Sequence, residues 1–471
     1  MRDMRDTPAA RSDQTASIAV SELRGSFDGP VITPEDPGYD EARALFYGGF
    51  EELRPAAIVR PANAAEVARV ITMARDNGLE LAVRGGGHSN AGHSTIDGGI
   101  VLDLAAMKGL EIDPEQRTAW AEAGLTAGEY TQAVGEHGLV TGFGDTGAVG
   151  IGGLTLGGEV GFLVRKHGLT IDNLLAAELV TADGQILQVD DEHHPDLFWA
   201  IRGGGGNFGV ATRFRYRLHE LPSIVGGLLL LPATAEVVAG FMAEAESAPE
   251  ELSAIANVMP APPLPFVAPE LVGQMVVMAL IASAGPSEAA QPVLDRFRGL
   301  ATPIADMLQP MPYSGMFPPE EEEYHPTAVA VTMFVDRVDH DLASTIMEQL
   351  EASDAPMRVA QLRALGGAMA RVPGEATAFA HRHSAFMVNL AAFYDGPDDR
   401  AVRQAWVDRF AAAIQQDDQG AYVNFLGDEG PARVRQAYPG PTWERLTAIK
   451  HRWDPTNLCR RNQNIPPAAA D

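Results

Sequence analysis

RGGGHSNAGHS, residues 84–94, is the first of three glycine-rich stretches in this chain, and GDTGAVGIGGLTLGGEVG (144–161) and RGGGGNFG (202–209) follow it. Glycine allows the main chain to take positive φ angles and to approach a ligand closely, and successive backbone N–H groups can converge on an anion. One such cluster is commonly a structural loop, but three of them, each flanked by strand signals, are harder to explain as turns. Together they predict a dinucleotide site.

Gly204, Gly206 and Gly209 match the G-x-G-x-x-G pattern of the nucleotide-binding Rossmann fold. In a Rossmann unit that pattern follows a strand and opens a helix. Here a helical segment, PDLFWAI (195–201), precedes the glycines, and VATRFRYRL (210–218), which alternates apolar and basic residues like a strand, follows them. The order of elements therefore excludes the Rossmann fold.

Composition restricts the location and the partners of the protein. The chain has 471 residues, of which 46% are hydrophobic, enough for two cores, and its net charge of -28 would repel nucleic acid and anionic membranes. Cys459 is the single cysteine, so no internal disulfide can form, and the sequence has neither a signal-peptide core nor about 18 uninterrupted apolar residues. We expect a cytoplasmic protein that binds neither nucleic acid nor membrane.

Local signals predict mixed α and β structure. Asn63 with Glu66, and Thr126 with Glu129, form capping-box pairs that open two helices, and an Asp-Gly turn at 183–184 joins two strands. Beyond about residue 222 the chain changes to proline-rich connections between long apolar segments, such as GQMVVMALIA and TAVAVTMFV, and Ala-rich helices. That change predicts a second lobe with an antiparallel sheet.

Six motifs carry a resemblance to a known family: RPANAAEV, RGGGHS, VGIGGLTLGGEVG, RKHGLTIDNLL, DLFWAIRGGGGNFGV and the terminal DPTNLCRRNQNIPP. Together they resemble the berberine-bridge-enzyme-like FAD-linked oxidases of the vanillyl-alcohol-oxidase superfamily, whose FAD-binding domain is of the PCMH type. The resemblance is close over residues 40–220 and in the tail, and loose in between. The pattern is most similar to the bacterial 6-hydroxynicotine-oxidase-like branch, in which one covalent bond holds the flavin.

The resemblance implies an α+β fold in two lobes. We expect a disordered arm at residues 1–25, followed by a PCMH-type FAD-binding domain of two α+β subdomains at 26–221. A substrate-binding domain with a large antiparallel sheet flanked by helices is expected at 222–430. A C-terminal segment that returns to the FAD domain is expected at 431–471.

The resemblance also implies how FAD is held. In the family, the histidine of the RGGGHS-type motif is bonded to the C8 methyl group of the flavin, and here that residue is His88, for which a loop histidine bonded to backbone is the alternative. Thr146 holds the place at which many relatives add a second bond from cysteine, so a single bond is expected. The other residues expected to bind FAD are Arg84, Gly85, Gly86, Gly87, Ser89, Val149, Gly150, Gly152, Gly153, Gly157, Gly158, Gly209, Val210, Asn462 and Asn464.

Three residues are candidates for catalysis by the same resemblance. Tyr422 matches the tyrosine of a Y-x-N-Y/H motif, His167 holds a position often occupied by tyrosine, and Asn389 falls near a polar catalytic residue of plant relatives. The structural alternatives are a cap of the sheet for Tyr422, a helix-end histidine for His167 and backbone fixation for Asn389. Tyr422 is the first candidate for the base. Because tyrosine titrates near about 10, it needs nearby cations or hydrogen bonds that lower its pKa, and His381 and Arg382 are candidate neighbours.

We expect an oxidase that transfers hydride from a small alcohol, sugar or secondary-metabolite hydroxyl to the flavin and electrons to O2, giving H2O2. In the family, the small residue at Val149 permits oxygen access. Amine-oxidising relatives carry acidic residues where this chain reads QLRALGG (361–367), so C–N oxidation is the alternative, as is a dehydrogenase or flavin-binding protein that does not use O2. His193 and His194 are adjacent in a loop-like segment, and we expect no metal.

Overall fold

The computed structural model describes residues 24–25, 27–318 and 324–469. The arm expected at residues 1–25 therefore lies almost wholly outside the described residues. The described chain contains both helices and sheets, and the sheets are mostly antiparallel, as the predicted α+β class requires. None of the helices in these ranges combines the length and the apolar composition needed to cross a membrane.

The first sheet consists of four strands: β1 (Val31–Ile32), β2 (Ala57–Val59), β3 (Leu81–Arg84) and β4 (Ile100–Asp103). Their order is β1-β2-β4-β3, with β2 and β3 both parallel to β4. Parallel strands need a crossover connection, and the helix Ala64–Asp76 lies in the connection between β2 and β3. The first glycine-rich stretch therefore begins at the carboxyl end of a parallel strand, a common position for ligand sites.

The capping box predicted at Asn63 is half formed. The Asn63 side chain accepts a hydrogen bond from the Glu66 N–H (3.0 Å), so the helix Ala64–Asp76 begins as predicted. The carboxylate of Glu66, which is buried, accepts instead from the N–H of Ala62 (2.7 Å). The second predicted box, at the start of the helix Ala127–Gly135, forms in both directions.

Seven strands follow: β5 (Leu110–Asp113), β6 (Thr118–Glu122), β7 (Leu139–Val140), β8 (Leu174–Val180), β9 (Ile186–Val189), β10 (Val210–Arg217) and β11 (His219–Glu220). Five of them form an antiparallel sheet in the order β5-β6-β10-β8-β9, and β7 pairs with β11. The predicted turn joins β8 to β9, with Gly184 at a φ of 86°. The helix Pro195–Ile201 precedes the third glycine-rich stretch and β10 follows it, so the order that excludes a Rossmann unit is confirmed.

The third sheet is antiparallel throughout and has eight strands: β12 (Ile224–Pro232), β13 (Leu252–Pro260), β14 (Met275–Ser283), β15 (Ala305–Asp306), β16 (Gln309–Met311), β17 (Ala328–Val335), β18 (Arg358–Ala364) and β19 (Phe386–Phe393). Seven follow the order β15-β12-β14-β13-β18-β19-β17, and β16 pairs with β12. One face packs into a hydrophobic core with four helices: Ala235–Ser247, Ser287–Arg298, His340–Glu351 and Pro397–Ile414. The opposite face of β17, β18 and β19 is left for the first lobe and the site.

The C-terminal segment packs against the third glycine-rich stretch. It begins with the helices Pro431–Ala437 and Pro441–Trp453 and continues as an irregular chain. Asn207 holds that chain, because its side chain donates to the carbonyl of Gln463 (3.1 Å) and accepts from the N–H of Ile465 (2.8 Å). The remaining short helices are Tyr39–Arg43, Ile151–Leu156, Val164–His167 and Ala368–Arg371.

Candidate active site

A cavity of about 580 Å³ lies where the three glycine-rich stretches, the C-terminal segment and the free face of the eight-stranded sheet meet. Its volume is in the range of ligand and cofactor sites. Most of the residues predicted to bind FAD line it: Gly85, Gly86, Gly87, His88, Ser89, Thr146, Val149, Gly150, Gly152, Gly153, Gly209, Val210 and Asn462.

The first two glycine-rich stretches touch through their main chains. A Cβ added to Gly86 would lie 2.3 Å from the Gly150 nitrogen, and one added to Gly150 would lie 2.2 Å from the Gly86 nitrogen. Main-chain atoms cannot move aside as the end of a side chain can, so only glycine fits at these two positions. Glycines here close the wall of the cavity.

Other glycines leave room for a ligand. A Cβ added to Gly153 or Gly206 would meet no protein atom within 4 Å, and both residues line the cavity. The buried Oδ1 of Asn462 has no hydrogen-bond partner within the protein, which is the state expected of a group that binds a ligand. These features fit FAD, which when bound supplies the two-electron acceptor of the reaction.

Replacing Gly153 by alanine is expected to weaken FAD binding about 5- to 150-fold, because the added methyl group enters ligand space at a cost of about 1–3 kcal/mol. The unfolding midpoint is expected to stay within a degree or two, since no protein atom is displaced. The affinity can be measured by titrating FAD into the His88→Ala background, in which the proposed covalent bond is absent. Gly135→Ala, the same exchange at an exposed helical glycine, is the control, and equal FAD affinity in both variants would refute the fit.

Four residues predicted to bind FAD do not line the cavity: Arg84, Gly157, Gly158 and Asn464. The buried Arg84 guanidinium donates to the carbonyls of Ala42 and Ser94, so it holds the chain around the first stretch. Gly157 and Gly158 are glycines because the side chains of Asn424 and Phe379 pack directly on them. Asn464 follows the last lining residue, Gln463, out of the cavity.

His88 is a neutral side chain in the cavity wall. Its ring stacks on Phe46, with centroids 4.2 Å apart and planes 17° from parallel. Burial lowers the pKa of His88 to about 4, so at neutral pH the imidazole keeps an unprotonated nitrogen. That is the form able to act as a nucleophile.

Tyr422 lines the cavity and is held by three hydrogen bonds. Its Oη accepts from the main-chain N–H of Glu159 (3.1 Å) and from Nδ2 of Asn424 (2.9 Å), and it lies 3.5 Å from Oε2 of Glu159. Asn424 is itself fixed by donating to the carbonyl of Leu154 (2.9 Å). Burial, followed by the charge of Glu159, raises the pKa of Tyr422 well above its usual range, so the phenol stays protonated at neutral pH.

The cations predicted beside Tyr422 lie elsewhere, so that prediction is wrong. Arg382 is fully buried and donates through two nitrogens to the carboxylate of Asp172, at 3.0 and 2.8 Å. His381 stacks on Phe334, with centroids 4.7 Å apart. The cation that acts on Tyr422 is Arg363, on β18.

Glu159 was not among the predicted site residues. It lines the cavity beside Tyr422, and burial, with the nearby Asp145 carboxylate as a second cause, raises the pKa of Glu159 to about 7. Its main chain is left-handed, with a φ of 62°. The signal in the sequence was a lone carboxylate in a glycine-rich stretch, GGEVG.

Arg363 connects the two lobes at the cavity. Its Nη1 donates to the carbonyl of Val160 (3.1 Å), and its Nη2 forms an ion pair with Asp145. From the other side, Oε1 of Gln361 accepts from Nε (3.0 Å) and Nη2 (2.8 Å) of the same guanidinium. The charge of Arg363 is therefore fixed in the wall, with Asp145 as its counter-ion.

A polar row crosses the cavity face of the sheet. Asn257, Gln361, Asn389 and Thr332 stand directly opposite one another on β13, β18, β19 and β17. Nε2 of Gln361 donates to Oδ1 of Asn257 (3.0 Å), whereas the buried Oδ1 of Asn389 has no partner within the protein. Asn389, which lines the cavity, is thus an acceptor available to a ligand.

His167, which was predicted as a catalytic candidate, lies outside the cavity lining. It is the last residue of the helix Val164–His167, which is the alternative that the sequence left open. Its ring stacks on His219, with centroids 3.9 Å apart, and its carbonyl accepts from Asn173 (2.9 Å). Burial lowers the pKa of His167 to about 3, so it is a neutral packing residue.

Comparison with known families agrees with the geometry. The family described as FAD binding domain matches residues 55–190, and the family described as berberine and berberine like matches residues 421–466. The first match includes two of the three glycine-rich stretches. The second includes Tyr422 and most of the C-terminal segment.

Two relatives and one solved structure extend the similarity to nearly the whole chain. (R)-6-hydroxynicotine oxidase of Paenarthrobacter nicotinovorans is 30% identical over 94% of this chain and 97% of that protein. Xylooligosaccharide oxidase of Thermothelomyces thermophilus is 27% identical over 88% of each chain. The crystal structure of 6-hydroxy-D-nicotine oxidase from Arthrobacter nicotinovorans is 28% identical and superposes with a TM-score of 0.84 over 94% of this chain and 99% of that one, which confirms the predicted fold class. The chain therefore belongs to the berberine-bridge-enzyme-like family of FAD-linked oxidoreductases.

Proposed function

We propose that this enzyme is an oxidase that holds FAD through a single bond to His88, oxidises a hydroxyl group of a small uncharged substrate and passes the electrons to O2, giving H2O2. The observation that carries the proposal is the continuity of the cavity. It joins the glycine-rich walls and His88 at one side to the polar row of the sheet at the other. A flavin and a small substrate can therefore occupy one continuous space.

A hydroxyl substrate is favoured over an amine by the polar groups on the cavity face of the sheet. On β18 the cavity is lined by the amide of Gln361 and the guanidinium of Arg363, so this strand presents no carboxylate that could pair with a substrate ammonium group. The unpartnered Oδ1 of Asn389 can accept a hydrogen bond from a substrate hydroxyl. Asn389 is therefore proposed as a substrate-binding residue.

The absence of a second reactive nucleophile among the described residues Cys459 and Thr146 of the cavity wall supports a single covalent bond to the flavin. Cys459 lines the cavity, but burial raises the pKa of its thiol to about 12, so almost no thiolate is present at neutral pH. Thr146, which also lines the cavity, offers no comparable nucleophile. The small side chain of Val149 in the same wall is proposed to leave a path for O2.

The substrate class can be tested by following oxygen uptake and peroxide release with pairs of compounds that share a carbon skeleton and differ in a hydroxyl or an amine. The first hydroxyl substrates to try are aromatic alcohols, sugars and oligosaccharides. One relative is named as an oxidase of an oligosaccharide. We expect peroxide from hydroxyl compounds and little or none from the matched amines. Turnover of the amines alone would overturn the proposed substrate class, and slow reoxidation of the reduced enzyme in air would favour a dehydrogenase.

A further inference from the structure

We propose that Glu159 is the catalytic base, the group that takes the hydroxyl proton of the substrate, and that Tyr422 and Asn424 position it. This inference rests on the proposed oxidation of a hydroxyl group. It assigns the proton transfer to a carboxylate in the second glycine-rich stretch, in place of the tyrosine that the sequence favoured.

The hydrogen-bond inventory of Tyr422 argues against the tyrosine as the base. A phenol has one proton to donate and two lone pairs that accept. Both lone pairs are engaged, by the N–H of Glu159 and by Nδ2 of Asn424, and the remaining donor faces Oε2 of Glu159. Tyr422 thus has no free acceptor for a substrate proton, whereas it can stabilise a charge on Glu159.

Glu159 is placed where a base is needed. Its side chain lines the same cavity as Asn389, the proposed anchor of the substrate hydroxyl. A Cβ on Gly144 would lie 2.1 Å from Oε1 of Glu159, so the absence of a side chain at Gly144 makes room for the carboxylate. The ionisable groups that act on it are the carboxylate of Asp145, the guanidinium of Arg363 and the phenols of Tyr422, Tyr313 and Tyr216.

The main chain of Glu159 carries a conformational cost that glycine would avoid. Its φ of 62° is in the left-handed region, which is unfavourable for a residue with a side chain. The flanking residues of the stretch include Gly157, Gly158 and Gly161, so a glycine would suit the local pattern. Strained residues of this kind cluster at active sites, and the side chain of Glu159 gives a reason for the strain here.

Oxidation of the hydroxyl group with Glu159 as the base transfers one proton and one hydride. The substrate O–H bond breaks, its electron pair stays on oxygen to form the C=O bond, and the proton forms a new O–H bond on Glu159. The hydrogen on the adjacent carbon leaves with its electron pair as hydride, for which oxidised FAD is the acceptor. The proton on Glu159 then passes to water before the next turnover.

The expected pH dependence of flavin reduction follows from the burial of Glu159, which raises the pKa of its carboxyl group. Its pKa of about 7 means that the carboxylate is protonated, and therefore inactive as a base, at lower pH, and ionised at higher pH. The rate of flavin reduction by substrate is expected to rise with pH through about 7 and to level off above it. A base whose pKa lies near the working pH is the efficient choice.

The test is anaerobic stopped-flow reduction of the holoenzyme between about pH 5 and about pH 9, with a substrate found in the peroxide screen. Glu159→Gln keeps the shape of the side chain and removes the base, so we expect the reduction rate at high pH to fall about 10²- to 10⁴-fold and the rise near pH 7 to disappear. Glu429→Gln is the matched control, because burial also raises the pKa of Glu429 but its side chain does not line the cavity. That variant is expected to keep the wild-type pH profile.

A second readout does not depend on turnover. Infrared difference spectra of the holoenzyme across the same pH range should show a protonated carboxyl group that ionises near pH 7 in wild type and is missing in Glu159→Gln. An unchanged reduction profile in Glu159→Gln, or a profile lost in Tyr422→Phe but not in Glu159→Gln, would overturn the proposal. A wild-type enzyme that oxidises no hydroxyl compound would contradict the proposed function. The infrared titration would then still test Glu159, because the absence of a carboxyl transition near pH 7 would overturn its proposed role as the base.

Discussion

Lys450→Met is expected to lower the free energy of unfolding by about 3–5 kcal/mol, because it leaves a buried carboxylate without its cation. Lys450 and Asp454 are both fully buried, and their Nζ and Oδ2 atoms are 2.7 Å apart. Nζ also donates to the carbonyls of Asn207 (2.7 Å) and Cys459 (2.9 Å). All three hydrogen bonds are lost when methionine, which has a similar length but no charge, replaces the lysine.

The same substitution is expected to reduce the amount of flavin that the protein retains. Asn207 belongs to the third glycine-rich stretch and Cys459 to the C-terminal segment, and both line the cavity. Lys450 joins these two walls, in addition to the hydrogen bonds that the Asn207 side chain makes with Gln463 and Ile465. The loss of its contacts should therefore open the cavity as well as destabilise the fold.

Denaturant unfolding of the purified protein, with flavin content measured in parallel, provides the check. Arg460→Met is the control, because its ion pair with Glu80 is half exposed on both sides and should contribute less than about 1 kcal/mol. A double variant, Lys450→Met with Asp454→Leu, should recover part of the lost stability, since no unpaired charge remains buried. A loss below about 1 kcal/mol in Lys450→Met alone would show that the buried pair does not hold the segment in place.

The fold was predictable where its signals are local. Caps at Asn63 and Thr126, the turn at Gly184 and the strand after the third glycine-rich stretch all depend on residues a few positions apart. Glu66 was not predicted correctly, because its carboxylate accepts a hydrogen bond from the N–H of Ala62 in place of the expected capping-box bond. The division of the chain at residues 221 and 222 and the cytoplasmic location stay predictions.

The site was predictable in its glycine walls but not in its charges. Gly86 and Gly150 could be recognised from the sequence, because clusters of glycines indicate places where main chains approach closely. Arg363 and Asp145 are 218 residues apart in the chain, so nothing in either local sequence indicates that they form an ion pair. The pKa of Glu159 is raised by burial, which only the tertiary structure creates. The burial of His167 outside the site also depends on tertiary packing and has no local signal in the sequence.

His88→Ala is expected to abolish covalent attachment of the flavin while leaving the fold intact. The ring of His88 lies in the cavity wall, is neutral at neutral pH and is the histidine of the RGGGHS stretch. Its removal deletes the nucleophile without introducing charge or bulk. Noncovalent flavin should still bind in the remaining cavity, more weakly than in wild type.

His93 is the matched control for this claim. It belongs to the same glycine-rich stretch, lines the same cavity, and burial lowers its pKa to about 4 as well. Both of its ring nitrogens are buried in the cavity wall, so it is the natural rival for attachment. His93→Ala should nevertheless keep the flavin bonded if His88 carries the bond.

The most direct measurement is therefore acid precipitation of the purified wild type, His88→Ala and His93→Ala, followed by measurement of flavin absorbance in pellet and supernatant. We expect flavin in the pellet for wild type and His93→Ala, and in the supernatant for His88→Ala. Flavin that leaves the wild-type pellet, or that stays with His88→Ala and leaves His93→Ala, would contradict the assignment of the covalent bond to His88.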